Sequence, residues 1–165
     1  MDSSEVRLSK ISELIKASKY SIHDLSRCQA GEGGEFYRLN MPFELGLDYG
    51  CRQYFGRDRQ HKKILILEEQ KYRYQVAISD LAGCDIEAHE GNYEKAVRKV
   101  RNWLVSETSA GAPVAAKILG AYVDFQEWYY EKQLAAGFSE EDIQDYPTNE
   151  LLAAMQSWIA EGEPH

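Results

Sequence analysis

Disulfide chemistry is the first thing this sequence lacks. It has three cysteines in 165 residues, Cys28, Cys51 and Cys84, and no CxxC pair. An odd, scattered set excludes a disulfide scaffold and suggests free thiols in a reducing compartment. Positive charge is also short: 19 Lys and Arg stand against 27 Asp and Glu, for a net charge of -8. A general nucleic-acid binder needs a basic footprint, so that class is set aside. A small nucleotide held by a few local arginines is not excluded. No apolar run reaches membrane-spanning length, and the first residues lack the apolar core of a signal peptide. The expectation is a cytoplasmic protein with no membrane association. His23, His61, His89 and His165 are far apart and lack metal-ligand spacing with the cysteines, so no metal site is expected. Repeats and low-complexity tracts are absent too.

The richest segment runs from 20 to 49. It reads as a strand over 20–25, a loop over 27–39 with Gly31, Gly33 and Gly34, and a helix opening near Asn40. Asn40 suits an N-cap and Pro42 a first helical turn. That helix runs to about Tyr54, with Phe43, Leu47 and Cys51 inward. Upstream, residues 3–18 form an amphipathic helix on Leu8, Ile11, Leu14 and Ile15. Downstream, KILIL at 63–67 is an apolar run of strand length, as expected of a strand buried on both faces. Glu68 and Glu69 follow at its carboxyl end. Residues 72–82 read as a short helix or irregular loop, 84–89 as a weaker third strand, and 93–105 as a helix with a basic face.

The composition changes at 106–113, SETSAGAP, a small-residue linker. Beyond it Ile118, Tyr122, Phe125 and Tyr129 form a helical stripe that Gly137 ends. An acidic turn leads to a last helix over Thr148–Ala160. Helix and strand alternate before the linker, which points to a parallel sheet with right-handed crossovers. The expectation is an α/β domain over 1–106 and a C-terminal helical hairpin over 113–165 packed on it.

In open α/β sheets, ligands bind at the carboxyl ends of the strands. That rule gathers His23, Asp24, Ser26, Arg38, Asn40 and Glu44 at one rim. Glu44 near a helix start is favoured by the macrodipole; an ionised carboxylate in a cleft can attack or stabilise an oxocarbenium-like sugar centre. Its plain alternative is a solvated helix-start glutamate. Asp24 either orients a ribose hydroxyl or closes the strand in an Asx turn. His23 is either an acid/base group or a hydrogen-bonded structural histidine. Arg27 and Arg38 either clamp a phosphate, or are solvated or pair with Glu32 and Glu35. The glycine loop is neither a P-loop nor GxGxxG, and no GxSxG elbow occurs.

The arrangement SIHDLSR…RLNMPFELGL, then KKILIL, then CDIEAH, resembles bacterial TIR-like and nucleoside 2-deoxyribosyltransferase-like domains over about residues 4–105. Its sharpest element is PFELG, residues 42–46. The resemblance implies a flavodoxin-like, three-layer parallel sheet. It also implies a nucleotide- or nucleoside-binding domain of bacterial signalling or defence that cleaves or transfers an N-glycosidic bond. Glu44 and Asp24 would be catalytic, and His23, Ser26, Arg38 and Asn40 would bind ligand. It implies no resident cofactor; NAD or a nucleoside would be substrate. Relative to that family, the chain lacks the opening strand-helix-strand, so the first strand becomes an edge. A homodimer or higher oligomer through that edge or through the helical hairpin is therefore expected. The rival expectation is a non-enzymatic oligomerising module, or a regulatory subunit completed by a partner.

Overall fold

The computed structural model describes residues 7–28, 32, 39–76, 78–81, 84 and 86–164. The chain divides into two compact units, Met1–Gly111 and Ala112–His165.

In the first unit the order is α1 (Arg7–Ala17), β1 (Tyr20–Asp24), α2 (Asn40–Tyr54), β2 (Lys63–Glu68), β3 (Ile86–Ala88) and α3 (Tyr93–Thr108), with 3-10 turns at Arg57–His61, Arg73–Val76 and Ser79–Leu81. The strands form one parallel sheet in the order β1-β2-β3. This is a small α/β fold, as the alternating elements led one to expect. The ambiguous stretch 72–82 contains the two short 3-10 turns, and α3 runs through the expected boundary at 106.

Register decides which side chains share a face. Ile22 lies opposite Leu65, His23 opposite Ile66, and Ile66 opposite Ile86. Successive residues on a strand point to opposite faces. On one face Leu25, Ile64, Ile66 and Ile86 pack with Met41, Leu45 and Tyr49 of α2 and with Tyr74, Leu81 and Cys84. On the other face Tyr20 meets the edge of Trp103 in α3, and Lys63 and Glu87 pair with Glu107 and Lys99. Both crossovers between strands therefore run over the α2 face, and α3 closes the other. Each of Leu25, Leu45 and Ile66, fully buried, contributes about 1.5–3 kcal/mol.

The inward stripe of α2 differs from the expected one. Phe43 is exposed, and the buried positions are Leu45 and Asp48. The reason is a charged cluster beneath the helix. Asp48 Oδ2 accepts from His23 Nε2 at 3.0 Å, and Lys62 Nζ lies 3.1 Å from Asp48 Oδ1. The same ammonium donates to the carbonyls of Ile15 (2.7 Å) and Ser18 (2.5 Å), where α1 ends. A lysine there complements both the carboxylate and the negative end of the helix dipole. Asn40 is the first helical residue rather than the cap; Leu39 precedes it in a helical conformation and makes no side-chain cap bond. Pro42 sits in the first turn, where its missing N–H costs nothing.

The second unit holds α4 (Ala115–Ala135), α5 (Glu140–Gln144) and α6 (Thr148–Ala160). Phe125, Tyr129 and Trp158 form its buried centre, with Trp128, Ile143, Tyr146, Leu151 and Met155 around them. The aromatic stripe is core at Phe125 and Tyr129, while Tyr122 is half exposed. Ser139 and Asp142 form a reciprocal capping box that starts α5.

Candidate functional site

Parallel strands end at a common rim, and here each of the three delivers polar groups to it. β1 ends in Asp24 and is followed by Ser26, Arg27 and Cys28; after β2 comes Glu69; after β3, His89 and Gly91. With Met41 of α2 these residues line a cleft of about 460 Å³. Its size falls within the range of small-molecule sites, about 300–1,000 Å³.

At its centre Ser26 bridges two groups. Its Oγ lies 2.5 Å from Asp24 Oδ1 and 2.7 Å from His89 Nε2. The Ser26 backbone N–H also donates to Asp24 Oδ1 at 3.0 Å, closing an Asx turn, and His89 Nε2 is 3.6 Å from the same oxygen. Burial pushes the Asp24 carboxyl upward, but the Ser26 bonds and His89 outweigh it and hold it below its ordinary value. His89 is buried, whereas the Asp24 side chain is about half exposed. Asp, Ser and His meet here without forming a hydrolase triad. A triad carboxylate orients the histidine through Nδ1, whereas both neighbours here sit on Nε2, and Nδ1 is buried with no hydrogen-bond partner among the described residues.

A second cluster braces the floor. Arg73 reaches Glu68 Oε1 at 2.5 Å, Glu69 Oε2 at 2.9 Å and the Ser26 carbonyl at 2.7 Å. It ties the loop after β1 to the end of β2, with both terminal nitrogens engaged in hydrogen bonds. The wall beyond β3 turns through two left-handed residues, Glu90 (φ 56) and Gly91 (φ 69), before Asn92 caps α3. A Cβ at Gly91 would meet Glu69 Oε1 at an ordinary contact distance of 3.5 Å, so it is the left-handed turn, not crowding, that favours glycine. Burial, then Glu68 and Asp24, push the Cys28 thiol up, which keeps it protonated.

The residues singled out from the sequence divide. Asp24, Ser26 and Arg27 reach the cleft. His23 faces the other way, one residue out of phase, into the Asp48–Lys62 cluster. Glu44 lies 4.0 Å from Arg7 of α1, with its side chain mostly covered, and is not among the described lining residues. Asn40 is exposed at the start of α2, and Arg38 lies outside the described residues. Sequence reasoning passed over His89, which a metal-spacing test had set aside; its place just beyond the third strand was the usable signal. Among the described residues no group of three or more His, Cys, Asp or Glu is placed to hold a metal, and no helix is long and apolar enough to cross a membrane. Comparison with protein-family models, curated proteins and solved structures returns no match.

Proposed function

We propose that the first unit binds a nucleoside or nucleotide in the cleft at the carboxyl rim of the sheet. The observation that carries this is the convergence of Asp24, Ser26, Glu69 and His89 from the ends of all three strands around one concave site. Ligands of open α/β sheets sit at such rims, and a carboxylate held ionised there suits a sugar hydroxyl. The TIR-like and deoxyribosyltransferase-like resemblance of the sequence agrees with the same ligand class. Where an N-glycosidic bond is broken, Asp24 is the described carboxylate best placed to stabilise positive charge developing on the sugar. Titration calorimetry with adenosine, uridine, their 5′-monophosphates and NAD, with chromatography for released base, tests this. Binding that Asp24→Asn weakens at least about tenfold supports the reading. Absence of binding across the whole panel refutes it.

A second reading rests on β1. Among the described strands it has a single neighbour, and Ile22 on it is 42% exposed. An open apolar edge favours pairing between copies. Under this reading the protein is an oligomerising interaction module or a regulatory subunit. Light scattering decides it: a stable oligomer that Ile22→Lys dissociates, without any binding across the nucleoside panel, favours the module.

A further inference from the structure

The cleft contains one hydrogen-bond chain whose direction can be worked out by counting protons. Asp24 is a carboxylate at neutral pH, so it only accepts. Ser26 Oγ has a single proton and lies 2.5 Å from Asp24 Oδ1, a distance that requires a proton between the two oxygens. The hydroxyl proton is therefore committed to Asp24. Ser26 Oγ is also 2.7 Å from His89 Nε2, so that contact can be a hydrogen bond only if Nε2 carries the proton. The buried Nδ1, without a hydrogen-bond partner among the described residues, fits the complementary state, a bare nitrogen that donates to nothing. The chain runs His89 Nε2–H to Ser26 Oγ–H to Asp24 Oδ1.

This direction settles what the wall offers a ligand. Both donors of the chain are used internally. Ser26 Oγ keeps one lone pair, and Asp24 Oδ1 is filled by Ser26, which leaves Oδ2 on a half-exposed side chain. Glu69 adds a second carboxylate, and the Arg73 terminal nitrogens are occupied by Glu68, Glu69 and the Ser26 carbonyl. Arg27 is exposed at the lip, and the Cys28 thiol is protonated. Arg27 apart, the centre of the described wall is thus made of acceptors. A phosphate, which accepts only, is mismatched to it, whereas a vicinal diol, which donates twice, is matched.

We infer that the cleft reads the hydroxylated face of a ribose, with His89 acting through Ser26 as the positioning residue that keeps Asp24 aimed as an acceptor. This rests on the nucleoside-binding reading and deepens it: it names the sugar diol, not a phosphate or a base edge, as the recognised group.

Two measurements on the full chain test it. The first is the ¹⁵N spectrum of the His89 ring at neutral pH. The expected signature is a protonated Nε2 and a bare Nδ1, and Ser26→Ala is expected to remove that fixed preference. A ring protonated on Nδ1 alone overturns the chain whatever the ligand. The second is binding of adenosine and uridine against their 2′,3′-dideoxy and 2′,3′-cyclic phosphate counterparts. A loss of at least about tenfold on removing or blocking the diol is expected, because hydrogen bonds to a charged acceptor are lost. Ser26→Ala is expected to erase most of that discrimination, and His89→Gln, whose amide can still donate, to keep more of it than His89→Leu. Equal binding of adenosine and dideoxyadenosine overturns the inference and leaves nucleoside binding standing. No binding of any nucleoside sinks the function reading as well.

Discussion

Replacing Lys62 with methionine tests the cluster that fixes α1 and α2 against the sheet. Methionine keeps the length and most of the apolar stem, so little packing is lost. What disappears is an ammonium only 2% exposed, with Asp48 Oδ1 at 3.1 Å and the Ile15 and Ser18 carbonyls at 2.7 and 2.5 Å. Asp48, wholly buried, then keeps its His23 contact but loses the ammonium beside it. Removing one member of a buried pair costs about 3–5 kcal/mol, chiefly because a charge remains without compensation. The two carbonyls at the end of α1 lose charge-assisted donors, each worth about 1.5–3 kcal/mol alone, but these effects overlap and do not add. The net expectation is a loss of about 3–5 kcal/mol in the first unit. For a unit of this size, about 4–8 °C of melting temperature per kcal/mol implies a fall of at least about 12 °C.

The chain has two compact units, so a global melt mixes two transitions. Hydrogen exchange resolved by peptide separates them. Protection is expected to fall in peptides covering α1, β1 and α2 and to stay unchanged in α4 and α6. The partner control is Asp48→Asn, alone and combined with Lys62→Met. The double variant is expected to be no less stable than the worse single variant, because neither charge is then stranded. The reasoning fails if Lys62→Met lies within about 1 kcal/mol of wild type, or if the two substitutions simply add, for then the pair is not coupled.

Acid behaviour gives an independent check on the same cluster. Burial pushes the Asp48 carboxyl up, but hydrogen bonding from His23 and Ser21 and the Lys62 ammonium outweigh it, and its folded value is lowered. A group lowered in this way stabilises the fold fully above the unfolded value of about 3.9 and loses that contribution as pH falls through the folded value. Wild type is therefore expected to lose stability below about pH 4 more steeply than Asp48→Asn, as read by urea midpoints across pH 2–6. In the second unit, Phe125 is 0% exposed among Tyr129 and Trp158, so Phe125→Ala is expected to cost about 3–5 kcal/mol and to deprotect α4 and α6 while leaving the sheet unchanged. In binding assays, Glu44→Gln is expected to leave nucleoside affinity within about twofold, because Glu44 faces Arg7, whereas Asp24→Asn weakens it at least about tenfold. Equal loss in both variants would return Glu44 to the site.

The fold was legible where periodicity was strong. KILIL read as a buried strand because both faces of β2 are covered, and α2 and α6 read to their ends, although Asn40 is the first residue of α2 and not its cap. The inward face of α2 was not legible. A stripe sought among apolar residues picks Phe43, Leu47 and Cys51, whereas the helix turns Leu45 and Asp48 inward. A buried aspartate cannot announce itself by hydropathy; its reason lies with Lys62 and with His23 on a strand 25 residues away.

The site shows the same physics from the other side. His23 and Asp24 are neighbours in sequence and looked like one cluster. Strand geometry separates them, because successive side chains point to opposite faces. His23 is thereby committed to the α2 layer. Asp24, as the last residue of β1, stands where the sheet stops covering it. Position relative to the strand end, more than residue type, predicts membership of the cleft. Ser26, Glu69 and His89 each lie one or two residues past a strand end. The three strands are parallel, so those ends coincide in space although they are far apart in the chain. A test built on sequence spacing, such as metal-ligand intervals, could not bring His89 to Ser26 across an interval of 63 residues. Laying the residue after each strand side by side does so directly. It also explains why Glu44, in the best-matching motif, is placed against α1 instead: it stands a full helical turn beyond the start of α2, on the side that faces Arg7.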